Sequence, residues 1–126
     1  MSVKTHYDPK SSILTLSVEG ELTQKMLRDA GEITITSDQY PPDVNTIWDF
    51  THMNYDNIDK AFMEEAMTIR KEFISMRKKA NIAYVTGTDF EFGMMRMYEM
   101  MSVEIKQGVP IFRTVEEAKA WLTSNS

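Results

Sequence analysis

A chain of 126 residues, 42% of them hydrophobic and 26% charged, has the size and composition of a single soluble domain with one core. A net charge of -5 opposes sequence-independent nucleic-acid binding, which rests on Lys and Arg neutralising phosphates, so no nucleic-acid partner is expected. The absence of Cys, with only His6 and His52 present, excludes disulfides, thiolate chemistry and a His-rich metal site.

No apolar run reaches the roughly 20 residues of a bilayer span, and Met1 to Tyr7 lacks the apolar core of a signal sequence. A soluble, cytoplasmic protein is expected. Residues 3–8 and 13–19 read as two strands of a hairpin, joined by the polar turn Asp8-Pro9-Lys10-Ser11-Ser12. In the second strand Leu14, Leu16 and Val18 alternate with Thr15, Ser17 and Glu19, the pattern of a half-buried strand near a sheet edge. Gly20 is expected to close it. Leu22, Met26, Leu27 and Ala30 then repeat at helical spacing over about 22–30, with Gly31 as a natural stop. Residues 32–36 fit either a strand or a helix extension, and Pro41-Pro42 marks a loop.

Thr46 to Thr51 reads as a third strand, after which Asp56 or Asn57 can cap a helix. That helix spans 58–79 with an apolar stripe of Ile58, Phe62, Ala66, Ile69, Phe73 and Met76, and ends in Arg77-Lys78-Lys79, which suits the negative end of its dipole. A strand at 81–86 breaks at Thr86-Gly87-Thr88 and feeds a helix at 88–103, with Thr88 and Glu91 forming a capping box. Phe90, Met94, Met97, Tyr98 and Met101 are expected to face the core. Phe92, Met95, Met100 and Val103 would then form a second apolar surface with Arg96 and Glu99 paired at its rim. Residues 109–113 form a short last strand, and Thr114 with Glu117 opens a last helix carrying Val115, Ala118, Trp121 and Leu122. Trp48 and Trp121 are expected to be buried.

The order β-β-α-β-α-β-α-β-α implies an α/β fold with a mostly parallel sheet of about five strands and helices mainly on one face. Ile47-Trp48 and Ile82-Ala83-Tyr84-Val85 are apolar on both sides, so something must cover the second face. The candidates are the Tyr40-Pro41-Pro42 loop, a displaced helix or another subunit. Ligands of open α/β sheets bind beyond the carboxyl ends of the strands, which here carry Asp49, Thr51, His52, Thr86, Gly87, Thr88, Arg113 and Thr114. Such a site can hold a small anion at the helix N-termini. The plainer assignment makes Thr88 and Thr114 caps, Gly87 a turn residue and Asp49 a structural acceptor.

Gly20-Glu21-Leu22-Thr23, Trp48-Asp49-Phe50, the run Phe92-Gly93-Met94-Met95-Arg96-Met97-Tyr98-Glu99-Met100 and the closing stretch Phe112 to Leu122 together carry a family resemblance. The chain resembles the SpoIIAA-like, or STAS-like, single-domain proteins of bacteria over essentially its whole length. The resemblance implies the β-α superhelical fold of the anti-sigma-factor antagonists, similar to CRAL-TRIO lipid-binding domains, and a non-enzymatic role. It implies binding of an apolar small molecule or lipid, peripheral contact with a membrane surface, or a protein partner. Phosphorylated antagonists carry an Asp-Ser-Ser-Gly-like segment after the strand ending in Asp-Leu or Asp-Phe. The corresponding Tyr55-Asp56-Asn57-Ile58-Asp59-Lys60 has no Ser or Thr, which argues against that phosphoswitch.

The residues themselves contain no nucleophile elbow, phosphate loop or Glu-His metal spacing, so no enzyme activity, cofactor or metal is expected. A small hydrolase using His52 with Asp49 or Asp56 is the catalytic alternative. A homodimer closing on an uncovered sheet face is a third reading. Nine of the 11 Met residues lie between Met53 and Met101, where they either fill the core or line an adaptable binding surface. The candidate ligand or partner surface is Asp49, Thr51, Thr86, Thr88, Phe92, Met95, Arg96 and Met100.

Overall fold

Strands β1 (Ser2–Asp8) and β2 (Ile13–Glu21) pair antiparallel, with Val3 opposite Val18 and Asp8 opposite Ile13. The Asp8 carboxylate closes their turn by accepting from the Lys10 N–H at 3.0 Å and the Ser11 hydroxyl at 2.9 Å. The computed structural model describes residues 2–41, 43–76, 80–101 and 109–124. Gly20 does not end the strand as expected. It sits at φ 77 inside β2, a left-handed step that glycine makes without a Cβ penalty, and pairing continues to Glu21.

Helix α1 (Gln24–Thr36) starts where the Thr23 side chain accepts from the Met26 N–H at 3.1 Å. The expected stop at Gly31 is instead a packing position. A Cβ there would lie 2.7 Å from the Phe73 ring, so the glycine lets a second helix press against the first. Residues 32–36 are therefore helix, with Thr34 buried one turn beyond Ala30 and its hydroxyl donating to the Gly31 carbonyl at 2.6 Å.

Strand β3 (Asn45–Asn54) pairs parallel with β2, and Ser17 opposes Asp49 while Glu19 opposes His52. One extra residue in β3 thus makes a bulge, and it reverses the inward-outward alternation. Phe50 and Met53 both point into the core, while His52 is left exposed. Helix α2 (Lys60–Ile74) is capped by Asp59, whose carboxylate accepts from the Phe62 N–H at 2.8 Å. Neither expected cap serves, because the Asn57 side chain donates to the Leu22 carbonyl at 2.8 Å and Asp56 is turned to solvent. Arg77-Lys78-Lys79 lies outside the described residues.

Strand β4 (Ile82–Val85), helix α3 (Asp89–Met101), strand β5 (Ile111–Phe112) and helix α4 (Val115–Ser124) complete the chain. The sheet order is β1-β2-β3-β4-β5, parallel throughout except for the first hairpin. This is the α/β fold that the element order implies.

Leu16, Val18, Trp48, Phe50 and Tyr84 face α1, α2 and α3. The opposite alternation, Ile13, Ile47, Ala83 and Val85, is fully covered by Ala118 and Leu122 of α4. Of the three candidate covers, the displaced helix is the one observed. It follows the last strand, so no right-handed crossover confines it to the first face. Tyr40 packs on the first side, 5.4 Å from the Tyr7 ring. Both tryptophans are half-buried rather than enclosed, Trp121 lying 6.1 Å from the Phe112 ring.

Leu122, and not Trp121, is therefore the anchor of α4. Leu122→Ala should cost about 2–5 kcal/mol in urea unfolding, and Trp121→Ala less; the reverse order would remove Leu122 from the centre of the second core.

Candidate functional site

At the carboxyl end of the sheet, the Asp49 carboxylate accepts from the Thr51 N–H at 3.0 Å and the Thr51 hydroxyl at 2.8 Å, which uses it within the β3 bulge. Thr88 accepts from the Glu91 N–H at 3.2 Å, and Glu91 reaches back to the Gly87 N–H at 3.3 Å instead of to the cap residue's own amide. Thr114 accepts from the Glu117 N–H at 3.2 Å, and the Glu117 carboxylate takes the Thr114 hydroxyl at 3.2 Å. Arg113 is paired with Asp89 and also donates to the Gly87 carbonyl at 3.2 Å. The helix N-termini are thus already occupied by their own side chains. Asp49 and Glu91 flank Tyr55 and, after burial, help push its hydroxyl up, so the local field opposes a small anion. Thr86 is fully buried, and its hydroxyl has no hydrogen-bond partner among the described residues.

The other predicted residues lie elsewhere. Met95 is buried and faces the interior, whereas Phe92, Arg96 and Met100 line a shallow outer groove with Glu99, Val109 and Ile111. The assignment of faces on α3 needs correction. Met95 and Tyr98 point inward, while Phe90 is 74% exposed, Met97 52% and Met100 73%. Phe, Met and Tyr occur around the whole helix, so periodicity did not fix which stripe meets the sheet. Val103 lies outside the described residues, as does the Met101 side chain. Among the described residues, no hydrogen bond or ion pair joins His52 to Asp49 or Asp56, and no group of three or more acidic or histidine side chains is placed to hold a metal.

A second concave feature among the described residues is a cavity of ≈130 Å³ between the first sheet face and α1, α2 and α3. Its floor is aromatic: Trp48 stacks on Phe50 at 5.9 Å, Phe50 meets Tyr84 at 5.6 Å, and Tyr84 meets Tyr98 of α3 at 6.4 Å. Ala66 and Gly31 leave the helix side shallow, and Met53, Met63 and Met95 complete the wall. Met63, Met67 and Met95 also belong to the buried core cluster, so these Met side chains fill the core around the cavity.

Arg70 is the charge at the cavity. Its guanidinium meets Glu99 at 2.6 and 3.4 Å and lies 5.8 Å from the Tyr98 ring centre. The pair is nearly withdrawn from solvent, with side-chain exposures of 9% and 15%. Burial alone would pull the guanidinium down, but the surrounding Tyr84 and Glu99 oxygens more than offset it and hold Arg70 above its ordinary value. Glu99 also accepts from the Val109 N–H at 2.8 Å. Glu99 is thus the partner of Arg70, on another helix, and not the rim partner of Arg96. A readable signal for Arg70 existed: with Ala66, Ile69 and Phe73 it shares the apolar face of α2, and a charge on such a face requires a partner.

No family model matches the chain, and no curated protein matches it. Among solved structures, it is similar to an anti-sigma-factor antagonist (STAS) domain protein from Planctomyces limnophilus, with TM-score 0.59 and 9% identity over 97% of this chain and 98% of that chain. The likeness establishes a STAS-like fold. No described helix is long and apolar enough to cross a membrane.

Breaking the buried pair by Glu99→Ala strands the Arg70 charge and should lower unfolding stability by about 3–5 kcal/mol; a loss like that of a surface pair would show that solvent reaches it. Burial also pushes the Tyr84 and Tyr98 hydroxyls up, as it does Tyr55. The folded state keeps these protons longer than the unfolded chain, so stability should be intact below the ordinary tyrosine value of 10.0 and fall as pH rises beyond it. Phenolate absorbance of these three residues should appear together with unfolding; their ionisation in the folded protein near the ordinary value would contradict the burial.

Proposed function

We propose that this domain is a non-enzymatic binding module whose ligand site is the partly open apolar cavity between the sheet and α1, α2 and α3. The observation that carries this reading is the cavity itself, an aromatic floor and a wall mostly of Leu, Ile, Phe and Met side chains around unfilled space. Interiors pack densely and leave few voids larger than a water molecule, and small-molecule sites are concave, mostly apolar and largely preformed.

Two of the predicted residue groups have other roles in it. Asp49, Thr51 and Thr88 organise the turns beside the buried Thr86. Phe92, Arg96 and Met100 belong to an outer surface, and Met95 alone of the eight lines the cavity. That outer surface favours a second, compatible reading. Phe90, Met97 and Met100 form an exposed apolar stripe on α3, suited to a protein partner, a membrane surface or a second copy. The anti-sigma-factor antagonist in the name of the structural neighbour supports a regulatory protein contact. A soluble, cytoplasmic, single-domain regulator is consistent with both readings.

Trp48 borders the cavity and Trp121 lies on the other side of the sheet, so Trp121→Phe leaves one reporter. Saturating apolar compounds should shift Trp48 emission and raise the melting temperature, and Ala66→Leu, which fills the void, should suppress both effects. A panel of apolar compounds that moves neither quantity in the wild-type cavity would overturn the assignment.

A further inference from the structure

The ligand class follows from volume and charge together. An apolar cavity of roughly 150 Å³ holds a benzene molecule, and the void here is ≈130 Å³. That inner space holds about one ring, so a long alkyl chain would have to leave most of its length outside the cavity mouth.

On the wall the Thr34 hydroxyl donates to the Gly31 carbonyl at 2.6 Å, and Arg70 is matched by Glu99 at 2.6 Å. A carboxylate entering the cavity would lose its hydration and meet a cation whose charge is already neutralised, and an unpaired buried charge is costly. We infer that the cavity selects a small, neutral, apolar molecule of about one aromatic ring, and that Glu99 enforces this choice by cancelling Arg70. The inference rests on the proposed role of the cavity and narrows it.

The probes are toluene, benzoate and 1-decanol. Toluene and benzoate share a ring and differ in charge, while decanol is uncharged but long. The Met methyl groups report the location: Met53, Met63 and Met95 border the cavity, whereas Met76, Met97 and Met100 are exposed. In methyl NMR titrations, toluene should move the first three signals and leave the last three in place. Benzoate and decanol should need at least tenfold higher concentrations. In Glu99→Gln, which removes the carboxylate charge beside Arg70, benzoate should gain at least tenfold; if that variant does not fold, the wild-type toluene and benzoate titrations decide alone. Benzoate or decanol binding as tightly as toluene at the three inner methyls would refute the selectivity while leaving the cavity as a ligand site. A folded Glu99→Gln without the benzoate gain would refute the role of Glu99. Failure of all three probes to move the inner methyls would remove the ligand site and the selectivity with it.

Discussion

The ion pair between Arg70 and Glu99 is the interaction on which the architecture of the helical face depends. It joins α2 to α3, and through the Val109 N–H it also fixes the segment leading to β5. Elsewhere on this face the helices meet by close packing: α1 and α2 touch where the Phe73 ring lies on Gly31. Between α2 and α3 a long charged span accompanies such packing. A buried ion pair gains little over well-packed apolar residues, but once present it cannot lose one partner cheaply. The ion pair thus joins α2 to α3 beside the cavity, together with the apolar packing of Met63 and Met67 with Met95 and Tyr98.

Much of the fold was legible because its signals are local. Thr88 with Glu91 and Thr114 with Glu117 mark helix starts through short-range hydrogen bonds, and the double-sided apolar run Ile82 to Val85 states that a second layer must exist. What covers that second face was open, because α4 follows the last strand and the crossover rule does not reach it. Gly31 read as a stop because its reason, the Phe73 ring, lies on another helix. The bulge in β3 was equally hidden: alternation through Asp49 to Met53 changes phase only because β2 pairs with it in a shifted register.

The candidate site was legible in part, and the reason is compositional. Met is used on the cavity wall at Met53, Met63 and Met95 and on the outer surface at Met97 and Met100, so residue type alone did not separate a cavity wall from an exposed stripe. The carboxyl ends of the strands drew attention as the usual site of open α/β sheets. Here their polar groups are mostly consumed by caps and turns, and the concavity lies on the flank of the sheet.

The strand order of the sheet is also the order of the chain, and this bears on how the protein is made. Each strand pairs with its predecessor in the chain, which keeps these contacts shorter in sequence than in a sheet whose order skips strands. The second face does not share that advantage. Ile13, Ile47, Ala83 and Val85 acquire their cover only when Ala118 and Leu122 arrive on the final helix. A chain whose sheet has formed before α4 docks thus presents a continuous apolar surface, the kind of surface on which partly folded chains aggregate or engage chaperones.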